Sequence, residues 1–302
     1  LIIMRDFLIK INSWFRLLAK TCASCVKILL FSKSTKQYKN LAKSEKDILI
    51  LGNGPSLNSF IENHKEKIKN YNLIAVNHFA ISEFYTELKP KYYIAIAHDL
   101  YLDDVMPHFL EASNKLFNTL VEKTDWNLKF FITTEARKHQ RWQEILKKNS
   151  NVEIIYINLT PIDGFKNFKF RNFDKLRGMP RPHNIMVPAI FTALNLQAKN
   201  ILLAGVDHSW LKELQVDNEN KVLLFNQHFY DKEIKAKQFD YMGQRYVKLH
   251  EILYTLGEAF KSYHILKEYA DYKQAKIFNL TENSFIDAFE RVNFEELNFK
   301  NK

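Results

Sequence analysis

Four short polar stretches, each placed directly behind an apolar run, hold the residues best suited to chemistry. They are Gly52-Asn53-Gly54-Pro55-Ser56, Asn77-His78, His98-Asp99 and Gly205-Val206-Asp207-His208. Two residue kinds recur in them: glycines that let a ligand come close to the backbone, and polar groups that hydrogen-bond it. Gly54 and its neighbours precede a helical pattern, and small residues before a helix N-terminus suit a phosphate, because the first turn offers unpaired N–H groups. Ser56 fits either an N-cap or a phosphate donor. The spacing is neither the dinucleotide pattern G-x-G-x-x-G nor the Walker pattern G-x-x-x-x-G-K-[ST]. Asp207 suits a ribose or acceptor hydroxyl, the orientation of a histidine, or the cap of the next turn. His98 with Asp99, Asp103 and Asp104 does not match the spacing of a compact metal loop, and no metal site is expected.

The elements that must position these groups are legible as apolar runs. Segments 47–51, 73–76, 92–97, 129–133, 152–157, 200–204 and 275–278 read as buried strands. Helical patterns fall between them near 57–69, 108–122, 135–148, 185–197 and 244–270. Such alternation predicts an α/β fold, a Rossmann-like and mainly parallel sheet with helices on both faces. In open sheets of this kind ligands bind beyond the carboxyl ends of the strands, where the four polar stretches fall.

Composition bounds the rest. The chain has 302 residues, of which 46% are hydrophobic and 26% charged, so it is globular rather than disordered. Two cysteines exclude a disulfide framework. The formal charge is +10, and residues 1–43 hold nine basic side chains against the single acid Asp6. Most of the excess therefore lies in that segment, and a basic groove for nucleic acid through the body is not expected. Phe7, Ile11, Trp14, Leu18, Cys22, Cys25 and Leu29 recur at helical spacing and form one apolar stripe. Arg16, Lys20 and Lys27 fall largely off it. The pattern fits a helix in the headgroup layer of an anionic membrane, or one packed on its own domain or a second subunit in a homo-oligomer. Lysines and arginines interrupt every window long enough to cross a bilayer, and no signal-peptide h-region is evident. Cys22 and Cys25 read as small stripe residues, since a lone C-x-x-C inside a helix is neither a zinc nor a redox site. Residues 1–43 are read as a basic amphipathic helical segment and linker, and 44–302 as one α/β domain.

Ile48 to Leu57, with its Gly52-Asn53-Gly54-Pro55-Ser56 loop, resembles the nucleotide-binding motif of bacterial family 42 sialyltransferases. Similar loops occur in the motility accessory factor group and in archaeal pterin diphosphokinase-like proteins. Asn77-His78-Phe79, the stretch from Asn184 to Asp207 and Asn226-Gln227-His228-Phe229-Tyr230 resemble further segments of the sialyltransferases, in the same order. The resemblance covers roughly residues 47–290. It implies an inverting, metal-independent glycosyltransferase that needs no cofactor and moves a nonulosonic acid from a CMP donor. A glycan or lipid-linked oligosaccharide of the bacterial surface, such as lipopolysaccharide or capsule, would be the acceptor. By the same resemblance Asn53, Gly54 and Ser56 would hold nucleotide and phosphate, with Asn77, His98, Asn184 and Asp207 about the donor. His228 would be the base, since a histidine titrating near neutrality suits removal of the acceptor proton. Tyr230 and Trp210 are candidates to assist phosphate departure. With the basic helix, this implies a cytoplasmic enzyme peripheral on the inner face of the cytoplasmic membrane. The alternatives are a diphosphokinase-like phosphotransferase and a non-catalytic nucleotide- or glycan-binding assembly protein.

Overall fold

A computed structural model describes residues 2–226, 235–238 and 245–297. Eight strands form one sheet in the order β11-β10-β6-β1-β2-β3-β4-β5, with every neighbouring pair parallel. In chain order these are β1 (Ile48–Leu51), β2 (Asn72–Val76), β3 (Tyr92–Ile94), β4 (Leu128–Thr133), β5 (Val152–Ile157), β6 (Asn200–Ala204), β10 (Lys276–Asn279) and β11 (Glu290–Arg291). The apolar runs form strands because both faces of the sheet are covered. In β1, Ile48 and Ile50 enter one core cluster while Leu49 and Leu51 enter the other. The helices Leu57–Ile68 and Pro107–Lys123 cover the Leu49 face, and Met186–Asn195 and Leu249–Tyr272 cover the Ile50 face. The α/β reading is thus shown, with seven of the eight strands at the expected runs.

Three local differences have plain causes. The apolar run at 92–97 stops being a strand at Ile94, because the chain turns there into a short helix, His98–Tyr101. The expected 135–148 helix is divided at His139-Gln140 into a 3-10 turn, Thr134–Lys138, and the helix Arg141–Leu146. A second, antiparallel sheet of β7 (Leu214–Val216), β8 (Val222–Asn226) and β9 (Lys235–Gln238) fills the polar region after β6.

The amino-terminal helix, Ile2–Phe31, docks through a polar seam rather than through its apolar stripe. Ser24 Oγ donates to the Asp163 carbonyl at 2.9 Å, and Thr21 Oγ1 accepts from the Phe165 N–H at 3.1 Å. Lys20 pairs with the Asp163 carboxylate at 3.0 Å. The helix backbone lies so close that a Cβ on Gly164 would stand 2.8 Å from Thr21 Cα; Gly164 also holds φ +117°. Phe7, Ile11, Trp14, Leu18, Cys22, Cys25 and Leu29 all remain exposed. Segment 33–46 is laid on the body. It forms a short helix, Lys36–Lys39, which buries Tyr38, and Lys33 N–H donates to Asn158 Oδ1 at 2.8 Å. Among the described residues, no helix is long and apolar enough to cross a membrane.

Candidate functional site

The strand order reverses at β1. Its successor β2 lies on one side and β6 on the other, which opens a crevice above the carboxyl ends of β1 and β6. The glycine loop and the Gly205-Val206-Asp207 strand end are clamped together there. Gly52 N–H donates to the Ala204 carbonyl and Gly54 N–H to the Gly205 carbonyl, both at 2.8 Å. The approach leaves no room for a side chain: a Cβ on Gly54 would lie 1.9 Å from Asp207 Oδ2.

Ser56 sits at the N-cap position of Leu57–Ile68, yet its hydroxyl does not cap the helix. It donates instead to Asp207 Oδ2 at 2.8 Å. Asp207 is therefore engaged across the crevice, not as a cap. Asn77 and His208, each immediately behind a strand or strand-end turn, hold φ of 48° and 51°. That left-handed conformation costs roughly 1–3 kcal/mol at a non-glycine residue and commonly marks a built site.

A cavity of about 110 Å³ opens at this point, walled by Asn53, Asn77, Asn184, Asp207, Trp210 and Glu213. Four polar atoms around it have no hydrogen-bond partner among the described residues: Asn53 Oδ1, Asn77 Oδ1, Asn184 Nδ2 and Glu213 Oε2. Two of the three amide orientations are fixed by other contacts. Asn53 Nδ2 donates to the Val76 carbonyl at 3.3 Å, and Asn184 Oδ1 accepts from the Met186 N–H at 2.9 Å. Leaving a buried polar group unpaired costs about 1–3 kcal/mol, so four in one place point to a ligand that completes them. An adjoining cavity of about 220 Å³ shares Asn184 and Trp210 and is otherwise mostly apolar, with Leu214, Leu224 and Leu256 on its walls. His183 Nε2, also without a partner among the described residues, borders it.

Behind Asn184 stands a relay to His208 through Tyr263, the member that sequence reasoning did not place in the site. Tyr263 Oη donates to Asn184 Oδ1 at 3.0 Å and lies 2.5 Å from His208 Nε2. The phenol has one proton, which goes to the carbonyl oxygen of Asn184, so His208 Nε2–H must donate to Tyr263. Desolvation pushes the His208 imidazole down to about 3 and the Tyr263 hydroxyl well above its ordinary range. Some of the His208 residue remains accessible, but its ring is enclosed by Trp210, Phe260 and Tyr263. His208 is thereby a neutral positioning group and a poor proton acceptor near neutrality.

The crevice thus gathers Asn53, Gly54, Asn77, Asn184, Asp207 and Trp210, with Ser56 tied to Asp207 at its edge. His98 is not on its walls; its exposed imidazole lies 3.9 Å from Glu135. His228 and Tyr230 lie outside the described residues. Asp103 contacts His139 and Arg141 at 3.2 and 3.3 Å, and among the described residues no three metal-ligating side chains cluster. His208 belongs to the Gly205-Val206-Asp207-His208 stretch read from the sequence, and Glu213 follows it closely enough to be found from it. Tyr263, 55 residues from His208, carries no local signal.

No protein-family model matches the chain, and no curated protein does. Among solved structures it is similar to a MAf glycosyltransferase from Magnetospirillum magneticum AMB-1, at 13% sequence identity and a TM-score of 0.46. The match covers 86% of this chain and 37% of that one, so this chain spans well under half the length of the protein it matches.

Proposed function

We propose that the chain is a glycosyltransferase whose β1–β6 crevice holds a nucleotide-activated sugar, with a CMP-linked nonulosonic acid as donor and a surface glycan as acceptor. The observation that carries this reading is the convergence of Asn53 Oδ1, Asn77 Oδ1, Asn184 Nδ2 and Glu213 Oε2, all unpaired, at the switch point of the sheet. The polar crevice suits ribose hydroxyls and phosphate oxygens. The apolar cavity across Asn184 and Trp210 suits a flat base.

The residues divide the work by chemistry. As the acceptor hydroxyl oxygen bonds to the anomeric carbon, the bond from that carbon to the phosphate oxygen breaks and leaves charge on CMP, which donors in a partly dry crevice stabilise as it forms. Asn184 Nδ2 is the fixed donor for this, held by the backbone of its helix and by Tyr263. Asp207 and Glu213 accept from sugar hydroxyls. His228 is assigned the acceptor proton, since His208 is held neutral and already donates its Nε2–H. A thermal-shift series with CMP, UDP, GDP and ATP tests the ligand class, because a ligand of the native state raises its apparent stability. Stabilisation by CMP above the others is expected, and His228→Ala should abolish turnover while CMP still binds.

The same reading places the enzyme at an anionic membrane surface. The amino-terminal helix uses Thr21, Ser24 and Lys20 to hold the body, so its opposite face, including Met4, Leu8, Ile11, Phe15, Leu18 and Leu29, is left exposed. Arg5 and Arg16 lie nearer that face, and basic flanks on an apolar helix match anionic headgroups. Vesicles of phosphatidylglycerol should bind the protein in a salt-sensitive manner; concentration-dependent dimerisation without vesicle binding would give the face to a second copy instead.

A further inference from the structure

A second and larger cavity, about 540 Å³, lies on the other side of the Ser56–Asp207 bridge. Ser56, Ser59 and Asn63 line it from the glycine loop and the helix that follows, Asn279 and Thr281 from the end of β10, and Arg291 from β11. None of the donor-site chemistry above uses it. Its size is in the range of small-molecule sites rather than of packing defects.

Its lining is chemically incomplete. Asn279 is 1% exposed, and its Oδ1 accepts from the Thr281 N–H at 3.0 Å. That bond fixes the amide, so Nδ2 faces away as a donor, with no partner among the described residues. Asn279 is in register with Arg291 on the adjacent strand, and both residues line the cavity. Arg291 donates to the Ser284 carbonyl, which anchors the side chain while leaving further N–H groups of the fork to recognise a ligand. Glu282 and Phe60 also line the cavity, offering a hydroxyl acceptor and an aromatic face.

We propose that this cavity binds an acidic sugar, its carboxylate or phosphate held by Asn279 Nδ2 and Arg291, and its ring and hydroxyls met by Phe60 and Glu282. The amide and guanidinium donors select an anion; the Glu282 carboxylate and the Phe60 ring select a polyol over a bare inorganic ion. This deepens the glycosyltransferase reading, on which it rests for its place in the reaction: the cavity is a subsite for an acidic saccharide portion of the acceptor glycan, separated from the nucleotide by the Ser56–Asp207 bridge.

Titration of the full chain with N-acetylneuraminic acid, with glucose 6-phosphate and with lactose as an uncharged control tests it, alongside CMP as a probe of the other cavity. Saturable binding of at least one acidic sugar is expected, with lactose at least tenfold weaker. The first two probes separate a carboxylate ligand from a phosphate one. Ser59 is exposed, so Ser59→Trp fills the cavity from its rim; it should abolish acidic-sugar binding and leave CMP binding intact. Arg291→Gln should weaken it tenfold or more. Absence of acidic-sugar binding, or binding indifferent to both substitutions, overturns the proposal even where CMP binds. CMP failing to bind while acidic sugar binds in a Ser59- and Arg291-dependent manner overturns the nucleotide reading and keeps this one.

Discussion

Ser56 and Asp207, 151 residues apart in sequence, are joined by a 2.8 Å hydrogen bond that fastens the glycine loop to the end of β6. A hydrogen bond to a carboxylate is worth about 1.5–3 kcal/mol when part-buried. Ser56→Ala should therefore lower stability by about 1.5 kcal/mol in urea unfolding and loosen the wall between the two cavities. The conservative Ser56→Thr should restore most of the loss.

Gly54→Ala should damage both folding and binding. Its Cβ would overlap Asp207 Oδ2 and stand 2.7 Å from the Gly205 carbonyl oxygen, so the carboxylate must swing away from Ser56 and the two loops must part. Calorimetric titration should show nucleotide affinity reduced tenfold or more, about 1.4 kcal/mol or beyond. The urea midpoint should fall as well.

Tyr263→Phe removes the one hydroxyl that links His208 to Asn184. The buried His208 donor and the Asn184 carbonyl then lose a shared partner, at a cost of about 1–3 kcal/mol in stability. Nucleotide affinity should fall as well, because Asn184 is no longer held from behind. A stability loss with unaltered nucleotide affinity would separate Asn184 from the ligand.

His208 gives the molecule a signed pH dependence. Its native value is about 3 and its unfolded value is 6.5, so between those limits the unfolded chain binds more protons than the native one. Above pH 6.5 the group contributes fully; below it the contribution falls by about 1.4 kcal/mol per pH unit. Unfolding free energies from pH 7 to pH 5, compared between the native protein and His208→Gln, should converge by that slope as the pH drops. Parallel curves would mean that the imidazole is not buried in its neutral form.

The exposed stripe of the amino-terminal helix makes a separate prediction. Leu8→Ser with Phe15→Ser should weaken phosphatidylglycerol vesicle binding by about tenfold or more, the worth of two apolar anchors. Both side chains are more than half exposed in the isolated chain, so thermal stability should not change.

The parallel sheet was legible because strands buried on both faces read as uninterrupted apolar runs, and Leu49-Ile50 in β1 shows the reason: alternate residues enter opposite cores. The strand-end positions of Asn53, Asn77 and Asp207 followed from that. The helical period of residues 2–31 was equally plain, but its docking face was not. Thr21 and Ser24 reach the body by hydrogen bonds to turn residues near Gly164, which hydrophobic periodicity does not report. The antiparallel strands β7 and β9 are short and partly polar, with Gln215 exposed, and give no apolar run to read, whereas Val222-Leu223-Leu224-Phe225 of β8 is an apolar run that the sequence reading passed over. Tyr263 was hidden because its role exists only where the Leu249–Tyr272 helix crosses the Met186–Asn195 helix. The second cavity depends on β11, two residues long, whose Glu290-Arg291 has no strand signature.

The central claim is that the carboxyl ends of β1, β2 and β6 form a nucleotide site. A crystal grown with CMP tests it most directly. The nucleotide is expected within hydrogen-bond distance of Asn53 Oδ1, Asn77 Oδ1 and Asn184 Nδ2, with its base toward Trp210. A crevice left empty at saturating CMP, or CMP seated away from all three asparagines, would contradict the account.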